Sequence, residues 1–223
     1  MRIFNQLKKQ FKNVIIVNQP QPKKRIVKGS DQIAFVGFHD QAFVISSLAK
    51  PGDPKLQQRA LHLHTKVAGS GTNITDGLRK SINLLKNSPH GVLRRIWLLS
   101  DGDPNRETEQ LFSVLADARR NHINVNTIGF GDSFDENLLR RMAKATHNGR
   151  FFSVRNLRQL TAVLLADAKK NPVAVRRQHR AENTVLAIDC SISMNWAMEN
   201  TTKIRVVEEA ALQLLLYKQR LFS

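Results

Sequence analysis

Thr184-Val185-Leu186-Ala187-Ile188-Asp189-Cys190-Ser191-Ile192-Ser193 is the stretch that decides the fold. Its apolar start reads as a strand that reaches Asp189, and hydroxyls follow at alternate positions. Upstream of it, strand and helix patterns take turns. Gln32–Phe38 and Ala42–Ser46 read as an antiparallel hairpin around the His39-Asp40-Gln41 turn. A short helical piece runs to about Lys66, and Ile74, Leu78, Ile82 and Leu85 align on one face of a helix over Thr72–Asn87. Arg95–Ser100, Ile123–Gly129 and Arg150–Val154 read as strands, and helices over Glu107–Arg120, from Ser133, and over Asn156–Lys169 follow them. Ser133 with Glu136 fits a capping box. A last helix over about Thr202–Arg220 puts Ile204, Val207, Ala211, Leu214 and Leu215 inward. This alternation predicts an α/β fold: a doubly wound, mostly parallel sheet with one antiparallel edge strand and helices on both faces.

Length and composition narrow the function classes. The 223 residues suit one domain, and 41% apolar residues suffice for a core. No apolar run approaches the roughly 18 residues of a membrane span. The single cysteine, Cys190, excludes an internal disulfide framework and fits a reducing cytoplasm. The net charge of +17 is concentrated. Arg2, Lys8, Lys9, Lys12, Lys23, Lys24, Arg25 and Lys28 lie in an acid-free stretch, and Lys169, Lys170, Arg176, Arg177 and Arg180 in another. Such a field favours acidic partners, nucleic acid or an anionic surface, although solvated basic tails would look the same. Residues 1–17 read as a basic amphipathic helix or a helix running into a short strand, broken at Gln19-Pro20-Gln21-Pro22.

Three loops hold the chemistry: Asp189-Cys190-Ser191-Ile192-Ser193-Met194, Gly69-Ser70-Gly71-Thr72-Asn73-Ile74, and Leu99-Ser100-Asp101-Gly102. Ligands of open parallel sheets sit at the carboxyl ends of strands, which is where these loops fall. Singly, each has a plainer reading: a capping turn at Asp189, an N-cap at Thr72, and a common turn dipeptide at Asp101-Gly102. Together they resemble the von Willebrand factor type A (vWA) domain with its metal-ion-dependent adhesion site (MIDAS). The run Thr127–Asp132, with Phe134–Leu139 and Phe151–Val154, is similar to that family's fifth strand, helix and sixth strand. The resemblance covers about residues 30–217.

The resemblance implies a metal site of Asp189, Ser191, Ser193, Thr72 and Asp101. Two carboxylates and three hydroxyls are hard oxygen donors, suited to Mg²⁺ or Mn²⁺. The order departs from the family, because the Asp-x-Ser-x-Ser strand and its helix come last. This resembles a circular permutation: a basic N-terminal extension (1–28), a body from second strand to last helix (29–170), a basic linker (171–183), and the first strand and helix (184–223) completing the same domain. A domain-swapped homo-oligomer and a fragment of a tandem array are the alternatives. Self-completion requires the Thr184–Asp189 strand between Ile33–Phe38 and Ile96–Ser100 of the same molecule.

The function implied by the resemblance is non-enzymatic. A bound cation would capture an exposed Asp or Glu of a partner protein, and intracellular members of the family often act as adaptors beside AAA-type ATPases or in larger assemblies. The rival reading is nucleic-acid or anionic-surface binding through the basic stretches. A metal-dependent hydrolase would need a general base, and none is evident. Asp101→Ala is expected to abolish metal-dependent binding with the fold largely intact. His62 and His64 read as surface residues, Cys190 and Trp97 as core, and Trp196 as a neighbour of the site. Gly129 and Gly131 lack the spacing of a dinucleotide loop.

Overall fold

A computed structural model describes residues 31–89, 91–169 and 181–222. The basic stretch before Asp31, its helical pattern, and residues 171–180 of the 171–183 linker lie outside the described residues. The chain forms β1 (Gln32–Phe38), β2 (Ala42–Ala49), α1 (Pro54–Ala60), α2 (Ile74–Lys86), β3 (Leu93–Ser100), α3 (Leu111–Arg120), β4 (Ile123–Phe130), α4 (Glu136–Lys144), β5 (Phe151–Val154), α5 (Leu157–Lys169), β6 (Glu182–Asp189), a two-residue-stranded hairpin of β7 (Ala197–Met198) and β8 (Thr201–Thr202), and α6 (Lys203–Phe222).

The six long strands form one sheet in the order β2-β1-β6-β3-β4-β5. Every pairing in it is parallel except β1 with β2, which is antiparallel at the edge. The expected α/β architecture is therefore present. β6 lies between β1 and β3, with Phe38 opposite Asp189 and Leu99 opposite Ile188. This is the placement that the strand at Thr184–Asp189 was expected to take.

Strand alternation builds two cores from one sheet. On one face Ile33, Phe35, Trp97, Leu99, Leu186 and Ile188 pack under α1, α5 and α6. On the other, Val36, Ile96, Leu98, Val185 and Ala187 pack under α2, α3 and α4. All eight residues of β6 are buried, because it is flanked by strands and covered by helices on both sides. Trp97 is core, as expected, with 2% exposure.

Several boundaries differ from the periodicity reading for local reasons. Asn73, not Thr72, caps α2, its side chain accepting from the Asp76 N–H. Asp135, not Ser133, caps α4 by accepting from Leu138 N–H. Glu107 adopts a left-handed conformation, so α3 starts at Leu111 after a 3-10 turn. β6 begins two residues earlier than expected, at Glu182, where its backbone N–H donates to Asp31 Oδ1.

Gly149 sits where α4 turns back to β5. A Cβ there would collide with the carbonyl oxygens of Ala143 and Val125, which are backbone atoms with little room to yield. Gly149→Ala should cost about 3 kcal/mol of stability, read as a lower denaturant midpoint at unchanged m-value.

Candidate metal site at the carboxyl ends of the central strands

The parallel register sets the site. Pairing Leu99 with Ile188 brings Ser100, at the end of β3, beside Asp189, at the end of β6. The Ser100 hydroxyl donates to Asp189 Oδ2 at 2.8 Å, and the Ser191 N–H donates to Asp189 Oδ1 at 2.9 Å. Ser191 Oγ and Ser193 Oγ lie 3.0 Å apart, and Ser193 Oγ donates to Asp101 Oδ1 at 2.8 Å. A chain of oxygen atoms thus runs from Asp189 through the serines to Asp101, joining segments about ninety residues apart in sequence.

The glycine loop closes the third side. Ile192 N–H donates to Gly69 O, and Ala68 N–H donates to Cys190 O, which ties this loop to the serine loop. Gly69 has φ +67, and a Cβ on it would meet the Asp40 carboxylate, so glycine alone suits that turn. Thr72 is 6% exposed, and a Cβ on Gly102 would lie 3.9 Å from its Oγ1. The Thr72 N–H donates to Asn105 Oδ1, fixing the threonine against the segment that follows Asp101. All five residues named from sequence therefore come together at one end of the sheet.

Their electrostatics differ. Asp189 is wholly buried, and burial pushes its carboxyl up to about 6, against the Ser191 and Ser100 hydrogen bonds that favour the ionised form. Asp101 faces a residue that sequence reasoning missed. Lys203 Nζ lies 2.6 Å from Asp101 Oδ2, with both side chains buried. The signal was present: Lys203 stands on the same helical stripe as Val207, Ala211 and Leu214, where an apolar residue is the ordinary choice.

This pair corrects the expected behaviour of Asp101→Ala. That variant would leave a buried ammonium without its carboxylate, a change that costs stability as well as ligands. Thr72→Val and Ser193→Ala are the cleaner probes, since each removes one hydroxyl and no charge.

Cys190 is a core residue, as expected. It is fully buried, and burial together with Asp189 pushes its thiol up to about 12. A thiol reagent should leave the native protein unmodified and titrate one thiol after unfolding in denaturant. His64 corrects its reading as a surface residue: it is half-buried, its Nδ1 2.6 Å from Glu208 Oε1 on α6. His62 is exposed, as expected. Trp196 is 59% exposed beside the site, and Ile192 is 56% exposed.

Among the described residues, no group of three or more His, Cys, Asp and Glu is placed to hold a metal ion. A cation here would depend on hydroxyls completing two carboxylates, which is the chemistry of hard ions.

The von Willebrand factor type A domain model matches residues 2–166, well over half of the chain. The chain belongs to the vWA family. The match starts inside the basic N-terminal stretch and stops before β6, so Asp189, Ser191 and Ser193 fall outside it. Among solved structures, this vWA chain is similar to a von Willebrand factor type A protein from Catenulispora acidiphila, at 22% identity and TM-score 0.47, covering 58% of this chain and 31% of that one. It is also similar to proximal thread matrix protein 1 of the mussel byssus, solved with a zinc-occupied MIDAS motif, at 26% identity and TM-score 0.44, covering 67% and 36%. A third is an uncharacterised membrane-spanning protein from Vibrio fischeri, at 24% identity and TM-score 0.34, covering 65% and 78%. The chain thus spans about a third of the length of the first two. No curated protein matches it. Among the described residues, no helix is long and apolar enough to cross a membrane.

Proposed function

We propose that this vWA domain is a non-enzymatic, cytoplasmic interaction module that captures an acidic side chain of a partner protein through a divalent cation. The observation that carries the reading is the hydrogen-bonded convergence of Asp189, Ser191, Ser193 and Asp101, with Thr72 beside them. Mg²⁺ or Mn²⁺ would be held by these five residues and would supply a Lewis-acidic position for a carboxylate. With two carboxylates and three neutral hydroxyls around it, such an ion would keep enough positive charge to take one more anionic ligand. The basic character of the chain would steer an acidic partner toward it. A partner within an ATPase-containing assembly fits the family's habits.

The position of β6 supports a permuted domain, in which β6 and α6 serve as the family's first strand and helix. A swapped dimer would pair the same strands between two chains. The molecular mass in solution separates them: a monomer with an intact fold supports self-completion, and an obligate dimer supports the exchange.

Manganese binding tests the cation reading directly. Calorimetric titration should give one Mn²⁺ site per chain, removed by EDTA. Water-proton relaxation of the bound Mn²⁺ should fall when a glutamate-bearing peptide displaces its water. Thr72→Val with Ser193→Ala should lose both signals while keeping the native circular dichroism. A chain that binds no Mn²⁺ would overturn the proposal.

A second reading rests on the two acid-free basic stretches: binding to nucleic acid or an anionic surface. That binding would weaken steeply with salt and ignore EDTA, the opposite pattern from carboxylate capture.

A further inference from the structure

We infer that Lys203 competes with the divalent cation for Asp101 and thereby sets the metal affinity of the site. The inference rests on the cation reading above and goes beyond it, because the five oxygen-bearing residues do not include a lysine. The Lys203 ammonium donates to Asp101 Oδ2 at 2.6 Å, while Ser193 takes Oδ1 at 2.8 Å, so both oxygens of this carboxylate are engaged. The Lys203 side chain is 9% exposed and that of Asp101 is fully buried, so water does little to screen the pair.

The ammonium is held in place from several sides. Lys203 opens α6 immediately after the short hairpin of β7 and β8, and its N–H donates to Trp196 O at 3.1 Å. Its Nζ lies 5.3 Å from the centre of the Trp196 ring. Gly131 passes beside the stem, and a Cβ built on it would lie in ordinary contact with Lys203 Cε at 3.4 Å. The carboxylate that a cation would take as ligand is thus already neutralised by a cation built into the chain. A divalent ion at Asp101 has to weaken or replace that contact, and its affinity falls by the work required. Lys203 also lies beside Trp196, an exposed ring at the mouth of the site, so its displacement would alter the surface that a partner meets.

The test compares wild type with Lys203→Met, which keeps the stem and removes the charge. Calorimetry with Mn²⁺ should give a dissociation constant about tenfold or more lower for the variant. In EDTA the variant should melt below wild type by about 5 °C, because Asp101 has lost its cation, and saturating Mn²⁺ should close that gap. Lys203→Gln, which retains a neutral donor toward Asp101, gives the same comparison if Lys203→Met does not fold. Equal or weaker Mn²⁺ binding by the variants, beside a wild type that binds, overturns the inference and leaves the cation reading standing. Unchanged melting in EDTA overturns it as well, whatever the metal result. Failure of all three proteins to bind Mn²⁺, with the EDTA melting difference present, overturns the cation reading, and the competition falls with it.

Discussion

Lys218→Met is expected to destabilise the protein by about 3–5 kcal/mol, which for a chain of this length lowers the melting temperature by about 10 °C. Lys218 stands near the carboxyl end of α6, 4% exposed, with its Nζ 2.6 Å from Asp31 Oδ2 and 3.6 Å from Glu182 Oε1. Arg95 adds a contact to Glu182 at 3.7 Å, and the Thr184 hydroxyl donates to Glu182 Oε1. This network ties the start of β1, the start of β6 and α6 together. Removing its ammonium leaves carboxylates buried in a medium that solvates them poorly. Equilibrium unfolding in urea checks the magnitude, and adding Glu182→Gln to Lys218→Met should recover part of the loss. A loss under about 1 kcal/mol would mean that the network is hydrated in solution.

The same network fixes an acid response. Burial by itself raises the Glu182 carboxyl, but Lys218 and Arg95 outweigh it and hold Glu182 below its ordinary 4.5. A depressed folded value means that the unfolded chain binds the proton more readily. The stabilisation is therefore complete above pH 4.5 and is lost as pH falls through the lower folded value. Lys218→Met should move the midpoint of acid unfolding to higher pH, followed by circular dichroism.

Asp189→Asn is expected to weaken divalent-ion binding by about 100-fold or more, since loss of a mere supporting contact around a metal already costs 10–100-fold. Asp189 Oδ1 accepts from the Ser191 N–H, and Oδ2 accepts from the Ser100 hydroxyl. An asparagine can keep the first bond through its carbonyl oxygen, and the hydroxyl of Ser100 can turn to accept from the amide. The fold should therefore survive. Removing a carboxylate that burial already disfavours in its ionised form even favours stability without metal. Mn²⁺ calorimetry, with melting temperature measured in EDTA, reads the two effects separately. Unchanged Mn²⁺ affinity would remove Asp189 from the site, whatever else binds there.

Hydrophobic periodicity alone was enough to read the alternating elements and the antiparallel hairpin, because a strand or helix buries its face through neighbours a few residues away. The Asp189, Ser191, Ser193, Thr72 and Asp101 set rested on the resemblance to the vWA family, because each residue, lying just beyond an apolar strand or a glycine turn, reads by itself as a cap or a turn. Caps were less legible. Thr72, Asn73, Ser133 and Asp135 all have capping side chains, and only the backbone path decides which of them faces a free N–H.

The two lysines of α6 belong wholly to the tertiary structure. On a helical wheel Lys203 and Lys218 fall on the apolar stripe, and nothing local says why. Lys203 reaches a carboxylate 102 residues earlier, and Lys218 reaches one 187 residues earlier. Both carboxylates arrive only because β6 enters the sheet between β1 and β3 and α6 then runs back across it. The sequence by itself determined which elements form and which oxygen donors stand at their ends. The assembled sheet decided which charges meet, because a buried ion pair forms where long-range topology delivers its second partner.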